Sequence, residues 1–273
     1  MSALKWVGGK RQLLCELENK FPKKIKNFYE PFGGSLTVTL YVLENLECEH
    51  VFVSDINTKL INFFNKTIDN VELLIKHIKI YKDNDYYECR NLFNEKNQSD
   101  NSIEEAALFF YLNKKCFNGI YRVNKHGGYN VPIGRNSVNW ENNFNNLRNF
   151  SNKIKSNKIT IENLNYKKFF EKYTESISED DLVYIDPPYY DTFVAYDGYG
   201  FSEDDQVTLC DTCSKLNCTV IASNSNTEFT RNLYTKNNFN IEEINAYRFI
   251  NRNGQDRNKK PVEIICVKKT SET

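Results

Sequence analysis

The stretch VYIDPPYYD, residues Val183–Asp191, ends an apolar run on a carboxylate and follows it with two prolines and two tyrosines. Proline has no N–H and cannot continue a central strand, so the run stops at Asp186. The rigid turn takes the Pro187 carbonyl out of sheet pairing. The Asp186 carboxylate and the Pro187 carbonyl then lie side by side as two acceptors. Two adjacent acceptors suit one group with two hydrogens, an exocyclic amine such as N6 of adenine. Tyr189 adds a flat face on which a base can stack. Asp186, Pro187, Pro188 and Tyr189 are therefore the candidate catalytic residues. The competing reading is a turn with an N-capping aspartate and packing tyrosines. Tyr190 and Asp191 receive no role.

A second constellation lies upstream. FYEPFGGS, Phe28–Ser35, puts glycines after a short apolar run and before a helical one. Glycines there let a ligand approach the backbone and the helix N-terminus. VFVSDIN places Asp55 after the next apolar run, where Rossmann-type folds hold ribose hydroxyls. The glycines do not make a full G-x-G-x-x-G, and Leu36 stands where a further glycine is expected. A strand–turn–helix junction is the plain alternative. KWVGGK, Lys5–Lys10, lacks the spacing of an ATP phosphate loop. Its lysines can pair with carboxylate or phosphate, and Trp6 can cover a flat ring. Cys210, Cys213 and Cys218 lack a fourth ligand at metal-site spacing, so no metal is expected and the thiols are read as buried.

Strands are expected at Asn27–Glu30, His50–Ser54, Lys158–Glu162, Leu182–Ile185, Thr219–Ala222, Ile241–Arg248 and Val262–Val267. Helices are expected at Gly9–Lys20, Ser35–Asn45, Thr58–Ile80, Ile103–Lys115, Lys167–Tyr173, Glu203–Leu216 and Thr227–Lys236. Alternation of this kind predicts an α/β fold with a mainly parallel sheet. Ligands of such sheets bind at the carboxyl ends of the strands, so Glu30, Asp55 and Asp186 should line one edge. Alternation lapses between about Lys59 and Phe150. We read 59–149 as an inserted domain and 1–58 with 150–273 as the sheet domain. The asparagine-rich run from Asn136 to Asn157, which crosses the end of the insert, is assigned no element.

Composition narrows the function little. The 273 residues carry a formal net charge of zero, so contacts to nucleic acid must come from local basic patches. Lys20–Lys26, Lys114–Lys125 and Arg248–Lys260 are such patches. No apolar run reaches the ~18 residues a membrane span needs, and no secretory signal is present. The eight cysteines are scattered and fit reduced thiols. The chain is expected to be cytoplasmic and not secreted.

LKWVGGK, YEPFGGS, VSDIN, FFYLNKKCFNGIYRVNKHGGYNVPIGR, YIDPPYY, FSEDDQVTLCDTCSKL, IASNSNTEFTRNLY and NRNGQDRNKKPVEIICV run in one order over nearly the whole chain. Together they resemble the Dam-type DNA adenine-N6 methyltransferases, the D12 or alpha class. The resemblance implies a Rossmann-like seven-stranded sheet whose last strand is antiparallel, with a helical target-recognition insert. It implies S-adenosylmethionine as cofactor and double-stranded DNA as substrate, with the target adenine flipped out of the duplex. Trp6, Lys10, Glu30, Phe32, Gly33, Gly34, Ser35, Asp55, Ile56, Asn165 and Asp186 match cofactor-pocket positions. Lys5, Phe117, Asn118, Ile120, Arg122, Asn124, Pro132 and Arg135 match DNA-contacting positions. Lys5 and Arg122 suit guanine edges, Ile120 and Pro132 a thymine methyl, and Phe117 a wedge beside the flipped base. GATC is the implied target. The resemblance admits a separately acting restriction endonuclease; the enzyme itself is expected to be monomeric.

The chain departs from the family pattern at Leu36, at Asn165, where many relatives carry an acid, and at Phe117, where tyrosine is usual. Residues 136–157 match nothing well. The alternatives are a methyltransferase acting on another amine (cytosine N4 or RNA) and an inactive DNA-binding relative. Asp186 weighs against the other amines, because cytosine-N4 enzymes usually carry serine there, and RNA or protein-glutamine enzymes asparagine.

Overall fold

Seven strands form one sheet in a computed structural model of the chain, which describes residues 2–96, 101–155, 158–190, 200–245 and 262–270. They are β1 Asn27–Glu30, β2 His50–Ser54, β3 Ile159–Glu162, β4 Leu182–Ile185, β5 Thr219–Ser225, β6 Asn240–Asn245 and β7 Val262–Lys268. Their order is β3-β2-β1-β4-β5-β7-β6. The first five in that order are parallel, and β7 runs antiparallel to both neighbours. This is the seven-stranded Rossmann-like sheet that the resemblance implies. Residues 246–248 of the expected sixth strand, the Arg248–Lys260 patch and Asp191 lie outside the described residues.

The strands are short and apolar because both faces of the sheet are covered. Successive side chains point to opposite faces. Phe28, Leu182 and Tyr184 enter one core with the helices of the β2–β3 crossover. Tyr29, Val183 and Ile185 enter the other, with Phe169, Cys210 and Cys213. The cysteine cluster is thus core packing, and burial pushes the Cys210 and Cys218 thiols up to about 12.

Six expected helices stand close to their expected bounds: α2 Thr37–Asn45, α3 Thr58–Tyr81, α5 Ile103–Lys115, α7 Tyr166–Tyr173, α8 Glu203–Ser214 and α9 Glu228–Lys236. The expected Gly9–Lys20 helix is instead a 3-10 turn, Lys10–Gln12, followed by α1 Leu14–Glu18. Within α3 the backbone breaks at Asn70 (φ −158°, ψ 90°), whose side chain accepts the Leu73 N–H and recaps the second half. Two helices go beyond the expectation, α4 Tyr86–Glu95 and α6 Trp140–Ile154. Asparagine is a weak helix former, which hid α6. Phe144, Leu147, Phe150 and Ile154 nevertheless recur at helical spacing and are buried against α3 and α2.

The turn from β1 to α2 explains the odd Leu36. Its backbone keeps the left-handed conformation in which glycine is at ease (φ 59°, ψ 30°). That costs a leucine roughly 1–2 kcal/mol. The side chain is fully buried beneath Gly33, which offsets the strain by about 1.5–3 kcal/mol. Leu36→Ala keeps the strain and loses the burial. It should be less stable than Leu36→Gly by about 1 kcal/mol in urea unfolding, the reverse of the usual alanine–glycine order.

Candidate active site

β4 delivers Asp186 to the carboxyl edge of the sheet, one residue past Ile185. One carboxylate oxygen receives the Lys10 ammonium at 2.6 Å. The other accepts the Ser223 hydroxyl at 3.0 Å, and Tyr184 lies behind Ser223 at 2.9 Å. Since Ser223 has one proton and gives it to Asp186, Tyr184 donates to Ser223. Burial lifts the Asp186 carboxyl above the usual aspartate range, while Lys10 and Ser223 pull it back. Lys10 also donates to the Gly8 carbonyl at 2.8 Å and stands 4.8 Å from the centre of the Tyr189 ring. The Tyr189 hydroxyl donates to Glu263 of β7 at 2.9 Å, which anchors the far end of the ring.

The turn is held from behind as well. Gln206 of α8 donates to the Pro188 carbonyl at 2.8 Å, and Asn224 of β5 donates to Gln206 at 3.0 Å. Asn224 also accepts the Tyr190 N–H at 3.2 Å, and Ser225 donates to the Tyr190 carbonyl at 2.6 Å. Tyr190 therefore has a structural place: its ring packs 4.3 Å from that of Phe229. Ser223, Asn224, Gln206 and Glu263 escaped sequence reasoning. One signal was present, since ASNS closes an apolar strand with three buried polar residues, which need partners.

The glycine loop sits beside this turn. The Gly33 N–H bonds the Ser54 carbonyl at 2.8 Å, and a Cβ on Gly33 would stand 2.4 Å from Val53, so no larger residue fits. Gly34 has a positive φ of 47° and faces the Trp6 indole. Its N–H bonds one Asp55 oxygen at 2.9 Å, and the Asn57 N–H bonds the other at 2.9 Å. Ser35 is buried and its hydroxyl meets that of Thr37 at 2.9 Å. Ile56 is half-buried, its carbonyl taken by Asn163. Phe32 stacks on Tyr166, with ring centres 5.8 Å apart. Asn165 caps α7 by accepting the Lys168 N–H at 3.0 Å, a task an aspartate performs equally well. Glu30 is buried beneath the loop, bonded by the Thr39 hydroxyl, and burial raises its carboxyl to about 8.

The other candidate residues gather around a turn after α5. Phe117 is 45% exposed and Asn118 is left-handed. Ile120 is half-buried, and Pro132 and Arg135 are exposed. Arg122 is braced by the Asn130 carboxamide at 2.7 Å. The Asn124 carboxamide oxygen accepts the His126 and Gly128 N–H groups and shapes the tip of the loop. Lys5 is exposed and crosses Gly119 of the same turn. Trp6 stacks on Tyr121 of this loop, 6.0 Å between centres, while its indole edge faces Gly34. Lys5, Trp6 and Lys10 thus touch the loop, the glycine turn and Asp186 in succession.

Residues 6–250 match the model of the D12 class of N6 adenine-specific DNA methyltransferases. The chain belongs to that family. Among its relatives, the Type II methyltransferase M.MjaIII of Methanocaldococcus jannaschii is 34% identical over 97% of both chains. The DNA adenine methylase of Vibrio cholerae is 33% identical over 94% of this chain and 92% of its own. That of Escherichia coli K12 is 30% identical over 97% and 94%. The protein is thus an adenine-specific DNA methyltransferase, a class that uses S-adenosylmethionine. Among the described residues of the methyltransferase no helix is long and apolar enough to cross a membrane.

Glu30 makes the stability of this adenine methyltransferase depend on pH. Its carboxyl binds a proton up to about 8 when folded, against an ordinary value of 4.5. Between those values the folded state holds a proton that the unfolded state has lost. The contribution is complete below 4.5 and is lost as pH rises through about 8. Glu30→Gln should flatten the fall in unfolding free energy over that window, which is at most about 1.4 kcal/mol per pH unit. Urea unfolding from pH 5 to pH 9 reads this directly; equal slopes for both proteins would refute the assignment.

Proposed function

We propose that this methyltransferase moves the methyl group of S-adenosylmethionine to N6 of an adenine flipped from duplex DNA, within GATC, at Asp186–Tyr189. The observation that carries the reading is the Lys10 ammonium. It lies on the Asp186 carboxylate at 2.6 Å and over the Tyr189 ring at 4.8 Å. These are the two contacts an exocyclic amine stacked on that ring would make. An incoming base shares the Asp186 carboxylate with Lys10.

The residues around the glycine loop fit the cofactor. A Cβ on Gly34 would stand 3.2 Å from the Trp6 indole, so glycine keeps that ring edge approachable. Trp6 and Phe32 offer flat apolar faces, Lys10 and Asp55 opposite charges, and Ile56, Gly33, Ser35 and Asn165 the walls. The cofactor supplies an electrophilic methyl group on a sulfonium. Asp186 and the Pro187 carbonyl accept the two N6 hydrogens, draw N6 toward tetrahedral geometry and localise its lone pair on nitrogen; transfer releases S-adenosylhomocysteine, and the methylated N6 gives up one proton. Tyr189, fixed at its hydroxyl by Glu263, holds the base flat. Catalysis is then alignment together with stabilisation of positive charge growing on N6.

Segment 59–149 is the DNA-reading part on this view, with Lys5 joining it from the catalytic part, 1–58 and 150–273. Phe117 wedges the stack, Lys5 and Arg122 reach guanine edges, and Ile120 and Pro132 meet a thymine methyl. Asn118, Asn124 and Arg135 complete the surface. The cysteines are free thiols, which suits action on DNA in a reducing compartment.

Asp186→Ala should lower methyl transfer by more than about 1000-fold while retaining duplex binding. Near-normal turnover in a labelled-methyl assay would sink the assignment. Sequencing of methylated adenines in DNA from cells expressing the enzyme should find them within GATC; another pattern would overturn the target and leave the chemistry in place.

A further inference from the structure

Asn113, in the last turn of α5, is 5% exposed and touches none of the catalytic residues named above. Its carboxamide oxygen accepts the Lys5 N–H at 3.0 Å, and its nitrogen donates to the Lys5 carbonyl at 2.7 Å. A carboxamide has one acceptor and one donor side, so this pair uses both. It copies, from a side chain, the double bond pattern that one strand residue makes with another. The next residue, Lys114, turns inward and donates to the Ala3 carbonyl. Burial and the Lys5 charge pull its amine down to about 8. On the opposite side Lys5 leans on Gly119, whose φ is +67° and where a Cβ would come within 2.2 Å of the Lys5 Cβ.

Lys5 is therefore fixed at its root from two sides, while its side chain is exposed. That matters because lysine is a point charge on a four-carbon stem with several rotors. Such a group reads one base edge in preference to another only if its origin is fixed to within a fraction of an ångström. We infer that Asn113 is a specificity-determining positioning residue, which fixes the backbone of Lys5 so that its ammonium meets one chosen base edge. The inference rests on the reading of Lys5 as a DNA contact.

The test uses the full chain, with rates measured on the duplex found by methylation mapping and on duplexes altered at one base pair each. The readout is the ratio of kcat/KM between target and altered duplexes. Lys5→Ala should collapse this ratio at one base pair by about tenfold or more. Asn113→Leu should collapse it at the same base pair, and the double variant should lose no more than the larger single loss. Gly119→Ala, which presses on Lys5 from the other side and keeps Asn113, should also act at that base pair. This second variant decides the matter if Asn113→Leu does not fold. A uniform rate loss on all duplexes in Asn113→Leu and Gly119→Ala, beside a specific loss in Lys5→Ala, would overturn the inference and spare the Lys5 reading. Unchanged ratios in Lys5→Ala would overturn that reading and the inference with it.

Discussion

The ion pair between Lys10 and Asp186 organises this molecule. Both groups are largely out of water, with side chains 8% and 18% exposed. Charges so placed are tolerated only with a partner, and removing either leaves the other buried and uncompensated. The pair therefore ties the N-terminal segment to the end of β4. Trp6 is thereby set between the glycine turn and Tyr121, and Lys5 across Gly119. A contact at Asp186 thus fixes how the sheet meets the loop after α5.

The sheet edge obeys the same economy of partners. Asp186, Glu30 and Asp55 end or follow neighbouring strands, and each carboxyl is matched by a named donor: Lys10 and Ser223, Thr39, and the Gly34 and Asn57 N–H groups. The means differ in each case. Asp186 has a cation, Glu30 a proton of its own, and Asp55 two backbone amides. Three acids at one edge coexist because their charges are handled separately.

Much of this was legible in the sequence, because period and punctuation are local. The apolar runs gave the strands, and the two prolines marked the end of β4. The carboxylates placed at strand ends follow from the same reading. What was not legible comes from far along the chain. Glu263, 74 residues beyond Tyr189, holds its hydroxyl, and Asn113 holds Lys5 across 108 residues. No spacing rule connects such pairs. Helix α6 was hidden for another reason: asparagine's weak propensity masked the apolar spacing of Phe144, Leu147 and Ile154, and burial against α3 outweighs that propensity. Leu36 reverses the case. Its type argued against a glycine-like turn, yet the backbone adopts one because the side chain has a buried place to go.

The position of β7 has a consequence for how the enzyme comes into being. This strand lies between β5 and β6 but follows both in the chain. While the polypeptide is being made, β5 presents an unpaired edge until residues 262–268 arrive. The same residues bring Glu263 to the hydroxyl of Tyr189. A chain that lacks this strand has no Glu263 carboxylate to receive the Tyr189 hydroxyl. The strand that joins β5 to β6 is thus also the one that carries Glu263 to Tyr189.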